Sequence, residues 1–367
     1  MKRRIVLSGV NITEMGPLMV FRDAIETLCE KYSDIYDIIV LVHKKSLFQV
    51  PGATFMEYPK VKSSWFRRLY FEYYECRHIS EKIRPHLWFA MDNTSPIVCT
   101  ELQAVYCHNA SPFYPFRIKE ALLDWKFGLF TLFFRFLYRI NIKANHLVVV
   151  QQDWMRSEFR SRYAVPNILV AYPSVNHLTS LELVKSQTSH SIYRFFFPAY
   201  PRTFKNVELI LDAARKLESS GHTRFEVWLT MNGTETAYAS KLRGMYSDVK
   251  AVRWLGLLPR ADVLQRYADA DCLIFPSKLE TWGMPITEFK ITGKPILVAD
   301  LPYAHETVGT YDKVAFFDIH NVEILADMMQ KAATGMPVFQ SAEQVIVAPP
   351  FSQNWEELWN ILLLPTQ

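Results

Sequence analysis

The sequence predicts an α/β protein made of two parallel-sheet domains in succession. Three observations carry this prediction. Short continuous apolar runs, the mark of strands covered on both faces, alternate with helical stretches. The alternation starts afresh after Tyr172-Pro173-Ser174. The chain has 367 residues, 50% of them hydrophobic, which is too many for one ordinary core and enough for two.

The first series opens with a strand at Ile5 to Leu7, followed by a loop from Gly9 to Gly16 and a helix from Pro17 through Cys29. Ile38 to Val42 is an unbroken apolar run, and Leu87 to Ala90, Ala104 to Cys107 and Leu147 to Val150 repeat the pattern. The second series has strands at Arg194 to Phe197, Phe225 to Leu229, Ala251 to Gly256, Cys272 to Phe275 and Pro295 to Val298. Its clearest helices are Val207 to Leu217 and Arg260 to Ala268. A polar, serine-rich stretch from Ser180 to Ser191 lies near the domain border, and the chain closes with an amphipathic helix from Trp355 to Ile361 and Leu362. The expected division is residues 1–172, residues 173–348 and a terminal helix in residues 349–367.

A net charge of +4 argues against a nucleic-acid binder. Five cysteines, Cys29, Cys76, Cys99, Cys107 and Cys272, are scattered without metal-ligand spacing and read as reduced, buried thiols of a cytoplasmic protein. The Met-Lys-Arg-Arg start leads into an apolar run too short for a signal peptide, broken by Asn11, Thr13 and Glu14. No stretch reaches the roughly 20 apolar residues of a transmembrane helix.

The richest segment is Phe275-Pro276-Ser277-Lys278-Leu279-Glu280-Thr281-Trp282-Gly283-Met284-Pro285-Ile286-Thr287-Glu288, followed by Gly293-Lys294-Pro295-Ile296. A buried strand enters a turn that carries one glutamate, then a glycine, then a helix start that carries a second. In an open α/β sheet, strand ends and helix starts are where phosphorylated ligands bind. Two carboxylates flanking such a start suit a nucleotide-sugar, with hydroxyls at both ends and a diphosphate between. A solvated helix start with two acidic residues is the plain alternative.

This segment resembles the Glu-x7-Glu signature of glycosyltransferase family 4, whose usual form is Pro-Ser-x-x-Glu-x-Phe-Gly-x-x-x-x-Glu-Ala followed by Gly-x-Pro-Val. Here Trp282 stands for the Phe and Phe289 for the Ala. The resemblance covers most of the second domain well and the first loosely. It implies the GT-B fold, two Rossmann-like doubly wound domains facing across a cleft, with the last helix crossing back to the first domain. It also implies a retaining transfer of a sugar from a nucleoside-diphosphate sugar, UDP- or GDP-linked, to a glycan acceptor. A lipid-linked acceptor such as a polyprenyl-diphosphate glycan is the expected kind, in cell-surface polysaccharide assembly (O-antigen, capsule or exopolysaccharide).

Such a transfer must neutralise the departing diphosphate, orient the sugar, grip the nucleoside and exclude water. For the diphosphate, Lys205 and Arg202 stand after the strand Arg194 to Phe197. Lys205-Asn206 aligns with the family's usual Lys-Gly, while its usual Arg falls nearer Tyr200, so Arg202 would act from a shifted site. For the sugar and phosphates, the candidates are Glu280 and the amides after Gly283, where glycine permits close approach. Pro285 has no amide, which leaves Met284 and Ile286 as donors. By resemblance, Glu280 holds donor-sugar hydroxyls and Glu288 the ribose hydroxyls. The base is expected at the loop after Trp254-Leu255-Gly256, through backbone groups of Leu257. In the first domain, Gly16 is expected to approach the phosphates, and His108, at the end of a strand, to face the transferred sugar. A purely structural histidine is the alternative there. Asp92-Asn93 is an acceptor-side candidate by the strand-end rule.

Asp269-Ala270-Asp271 precedes a strand and so lies at the wrong end to serve a ligand, and no other Asp-x-Asp follows one. The expected chemistry uses no divalent metal and no cofactor beyond the nucleotide-sugar. Two segments, Lys60 to Tyr74 and Trp125 to Lys143, mix bases with aromatics. Either they lie in the headgroup region of the inner membrane face, making the protein peripheral, or their aromatics pack inside the first domain. Two other functions fit the same fold: a sugar-nucleotide epimerase or hydrolase, which needs an acid/base set that the sequence does not display, and a non-enzymatic partner, which the intact Lys205, Glu280, Gly283 and Glu288 disfavour.

Overall fold

Two sheets, each parallel throughout its named strands, organise the chain in a computed structural model that describes residues 2–13, 15–173 and 191–363. Contacts group residues 1–113, 133–179 and 347–367 in a first unit, and residues 114–132 and 180–346 in a second. Chain order alone assigned residues 114–132 to the first half; the packing groups them with the second. The polar stretch 180–191 lies outside the described residues up to position 190.

The first unit contains β1 (Arg3–Gly9), α1 (Met15–Tyr32), β2 (Tyr36–Val42), β3 (Ala53–Glu57), α2 (Trp65–Tyr70), a π-helical turn (Phe71–Glu75), α3 (Cys76–Ile83), β4 (Leu87–Ala90) and β5 (Leu102–Cys107). Next in the chain come α4 (Ile118–Leu123) and α5 (Trp125–Leu137), then β6 (Leu147–Val150), α6 (Asp153–Tyr163) and β7 (Ile168–Ala171). The strand order is β14-β7-β6-β5-β4-β1-β2-β3, so the winding reverses between β1 and β4. The short strand β14 (Phe351–Ser352) joins this sheet from the far end of the chain. Ile5 and Leu7 of β1, Val40 of β2 and Phe89 of β4 are fully buried, as apolar strands covered on both faces should be. Gly9, the last residue of β1, has no room for a side chain, because an added β-carbon would lie 2.3 Å from the Phe21 ring of α1.

Helix α1 starts at Met15, two residues before the expected Pro17. Gly16 therefore lies in its first turn and not in the preceding loop. The terminal helix α13 (Trp355–Leu363) buries Trp355, Leu358, Trp359 and Leu362 against the core of this unit. Its register is fixed by two long-range bonds: the Trp359 indole donates to the Ala24 carbonyl at 3.2 Å, and the Tyr32 hydroxyl to Asn360 Oδ1 at 2.6 Å. Full burial of each large apolar side chain contributes about 1.5–3 kcal/mol, enough to hold a nine-residue helix.

The second unit runs β8 (Tyr193–Phe197), α7 (Val207–Ser219), β9 (Phe225–Leu229), α8 (Ala237–Met245), β10 (Val252–Trp254), α9 (Arg260–Asp269), β11 (Cys272–Phe275), α10 (Met284–Lys290), β12 (Ile296–Ala299), α11 (Pro302–Val308), β13 (Val314–Phe317) and α12 (Val322–Thr334). Its order, β10-β9-β8-β11-β12-β13, reverses between β8 and β11. The loops that leave the carboxyl ends of the two strands at such a reversal are the usual ligand position in open α/β sheets.

Four of the cysteines are buried, but Cys99 is exposed, so the expectation of five buried thiols fails at that position. Among the described residues no helix is long and apolar enough to cross a membrane.

Candidate active site

The loop after β8 and the loop after β11 form the centre of the candidate site. The first runs through Pro201 into a single helical turn, Thr203–Lys205, and Asn206, left-handed at φ 55°, opens α7. Asparagine tolerates that conformation better than most residues. Its side chain donates to the Ile319 carbonyl at 3.0 Å. The second loop is tied to the first by the Lys278 amide, which donates to the Phe204 carbonyl at 2.7 Å.

Three cations stand on these loops, and each holds a carboxylate. Lys205 Nζ lies 2.5 Å from Glu280 Oε1, with both side chains mostly buried. Arg202 Nη1 reaches both oxygens of the buried Asp124, at 2.8 and 3.0 Å. Lys278 Nζ lies 3.4 Å from Glu208 and 3.6 Å from Glu120. Two hydroxyls on the same loops, Thr203 Oγ1 and Ser277 Oγ, are shielded from solvent and have no partner among the described residues. Orphan buried hydroxyls are uncommon in a settled core.

Gly283 precedes α10 at φ 85°, a left-handed conformation that strains any other residue, and an added β-carbon would meet Ile286 Cδ1 at 3.1 Å. The Ile286 amide donates to the Gly283 carbonyl at 2.9 Å. Of the two amides proposed for an anion, that of Ile286 is thus committed within the turn.

Glu288 is buried on α10, and both of its oxygens are engaged. Arg260 Nη1 lies 2.7 Å from Oε1, and the Tyr267 hydroxyl donates to Oε2 at 2.8 Å. Burial pushes the Tyr267 phenol well up, and the Glu288 charge pushes it further. For Arg260, burial works against the charge but the hydrogen bond and charge of Glu288 overcome it and raise the pKa. Arg260 and Tyr267 were not singled out from the sequence as site residues. Their spacing of seven within α9 was the available signal, because it places both on one helix face. Tyr267→Phe should leave a buried carboxylate oxygen without its donor, at a cost of about 1–3 kcal/mol. The expected fall in Tm is roughly 2–10 °C; an unchanged melting curve would show that Tyr267 does not support Glu288.

Leu257 follows Gly256, which is left-handed at φ 76° and bonded through its amide to the Met231 carbonyl. The Leu257 side chain is more than half exposed. Asp271, at the other end of the sheet, accepts from the Arg194 amide at 2.8 Å and so anchors the start of β8. Among the described residues no group of three or more His, Cys, Asp and Glu is arranged to hold a metal ion.

In the first unit, Asp92 and Asn93 stand on the loop after β4, at its own reversal point, and His108 follows the neighbouring β5. Asn93, left-handed at φ 68°, accepts from the His108 amide through Oδ1 at 2.6 Å, which turns its Nδ2 toward His108 Nε2 at 3.1 Å. Nε2 is then the acceptor and Nδ1 carries the proton. That Nδ1 is shielded and has no partner among the described residues. Burial first, and the Arg68 charge second, lower the His108 pKa to about 4. A histidine with a depressed folded pKa is protonated more readily when unfolded, so this group costs stability as pH falls from its unfolded value toward 4. NMR of the ring nitrogens should show no titration of His108 between about pH 5.5 and 8; a transition near neutrality would contradict the arrangement. Asp92 accepts from the Asn11 amide at 3.2 Å, and burial raises its pKa to about 7 against the lowering effect of Arg68.

The two aromatic segments divide residue by residue between the two readings. Phe71, Phe134 and Tyr138 are core, whereas Phe66 is 87% exposed and Trp125 61%.

Residues 191–342 match the family described as glycosyl transferases group 1. The chain is 21% identical over 279 residues to the O-antigen chain mannosyltransferase RfbU of Salmonella typhimurium, covering 68% of this chain and 73% of that one. In structure it resembles WaaG, a glycosyltransferase involved in lipopolysaccharide biosynthesis, with a TM-score of 0.62, 14% identity and 90% of each chain covered. It also resembles the Anabaena protein HepE in complex with UDP and glucose, with a TM-score of 0.57 and 12% identity, covering 98% of this chain and 95% of that one.

Proposed function

We propose that this chain, which has the GT-B fold, is a group 1 glycosyltransferase that transfers a hexosyl unit from a UDP- or GDP-sugar to a lipid-linked glycan in cell-surface polysaccharide assembly. The observation that carries the donor reading is the convergence of Lys205, Glu280 and Glu288 on the loops and helix at the reversal point between β8 and β11. The likeness to an O-antigen mannosyltransferase supports the acceptor class.

The reaction forms a bond from the acceptor oxygen to the anomeric carbon and breaks the bond from that carbon to the leaving phosphate oxygen. The acceptor hydroxyl proton passes to the departing phosphate. Attack and departure on one face, through an oxocarbenium-like state, retain configuration. Lys205 and Arg202 neutralise the diphosphate, and no divalent metal is required. Glu280 holds sugar hydroxyls and Glu288 the ribose. The enzyme works at the inner membrane face, which the exposed Phe66 and Trp125 support.

In this scheme the donor phosphates compete with Asp124 for Arg202. Asp124→Asn should therefore tighten nucleoside-diphosphate binding about 3- to 10-fold at low salt; weaker or equal binding would remove Arg202 from the phosphate site. The proposed function is tested by supplying labelled UDP- and GDP-sugars with lipid-linked glycan acceptors. Label in the lipid fraction with the donor's anomeric configuration is the expected result. An epimerised or hydrolysed donor as the sole product, or no reaction with any of them, would contradict it.

A further inference from the structure

The first unit carries a half-open groove of about 500 Å³ at the carboxyl end of β3. One wall is the segment after β3, and the other is the helical stretch from α2 into α3. Tyr70 and Tyr74 stand on that second wall with their rings 5.0 Å apart and only 30° from parallel, each about half exposed. Lys60, Arg67 and Lys82 line the same groove. Most cations described above hold a carboxylate; among the described residues none lies within ion-pair distance of these three. The groove thus combines two half-exposed tyrosine rings, Tyr74 also edge-on to His78 at 4.7 Å, with three cations set against the two carboxylates of Glu57 and Glu75.

That combination has a specific chemical match. Aromatic faces pack against the C–H face of a sugar ring, and unpaired Lys and Arg side chains bind phosphate. All strands of this sheet are parallel, so the carboxyl end of β3 lies on the same edge as that of β1. Lys62, just beyond β3, donates to the Thr13 hydroxyl in the loop after β1, which ties the groove's wall to the reversal point of the sheet. Trp65 and Phe66 are exposed at the start of the same helical wall, where an apolar tail could lie. We propose that this groove binds the glycosyl-phosphate head of the acceptor, with the sugar on Tyr70 and Tyr74 and the phosphate on Lys60, Arg67 and Lys82. The inference rests on the glycosyl-transfer reading and adds to it the place and chemistry of acceptor recognition.

The test is co-sedimentation of the full chain with neutral phosphatidylcholine vesicles, plain or doped with undecaprenyl-diphosphate N-acetylglucosamine, with glucose 1-phosphate and methyl glucoside as soluble competitors. The protein should sediment with the doped vesicles, and glucose 1-phosphate should compete where methyl glucoside does not. Competition by glucose 1-phosphate with no preference for the doped lipid would assign the same chemistry to a soluble sugar phosphate. The triple variant Lys60→Gln/Arg67→Gln/Lys82→Gln should bind at least about ten-fold more weakly, and Tyr74→Ala should weaken competition by the sugar phosphate. Thermal shift with UDP and GDP serves as the folding control for every variant. Unchanged binding by both variants, or equal sedimentation with vesicles carrying phosphatidylglycerol in place of the doped lipid, would overturn the assignment. Failure of the wild type to respond to any nucleoside diphosphate would instead strike at the donor reading and leave the vesicle result to be judged by itself.

Discussion

Lys205→Ala should lower kcat/KM for the nucleotide-sugar by about 10²–10³-fold, the scale seen when one preorganised group facing developing charge is removed. The Lys205 ammonium lies 2.5 Å from Glu280, on the loop after β8, where the leaving diphosphate is proposed to sit. Negative charge on that group grows as the glycosidic bond breaks, so the loss should fall mainly on kcat and less on KM. Lys205→Arg should not restore full activity, because a planar fork cannot occupy the space of a compact ammonium packed between the Phe204 and Phe275 rings. Steady-state kinetics of the three proteins checks this. A loss confined to KM would make Lys205 an ordinary binding residue.

Glu288→Gln should weaken nucleoside-diphosphate binding by about 10- to 100-fold, the equivalent of a charge-assisted hydrogen bond or two. The carboxylate is already held by Arg260 and Tyr267, so a ribose can reach it only if one partner gives way. Tyr267 is fully buried and Arg260 has a side chain 41% exposed, so Arg260 is the one able to move. The decisive control is a 2′-deoxy nucleotide. Wild type should bind it much more weakly than the ribonucleotide, and Glu288→Gln should bind the two nearly alike. Equal penalties in both proteins would separate Glu288 from the ribose.

Much of this arrangement was legible in the residues. The strand Cys272–Phe275 lies where its four-residue apolar run placed it, and Glu280, Gly283 and Glu288 follow on a loop, a left-handed turn and a helix. Other elements left weaker marks. Ile168–Ala171 and Val314–Phe317 are four-residue strands that were not singled out from the sequence, and Phe351–Ser352 is a strand only because β7 is there to pair with it. The partners of Glu288 depend on how α9 packs on α10, which a single helix's periodicity does not reveal. Asp124 sits 78 positions before Arg202 in an otherwise aromatic stretch, and only the folded chain makes it a counter-ion. The aromatic segments gave two readings because Phe134 and Phe136 differ in burial by helix face, not by composition.

The second unit is proposed to hold a nucleoside diphosphate without a metal ion. The measurement that tests it most directly is the thermal shift of the wild type and Lys205→Ala with UDP and GDP, in EDTA and again in magnesium. One of the two nucleotides should stabilise the wild type by about 2.7 kcal/mol at 100 times its dissociation constant, equally in both conditions, and should stabilise the variant far less. No response to either nucleotide, or a response that appears only with magnesium, would contradict the account.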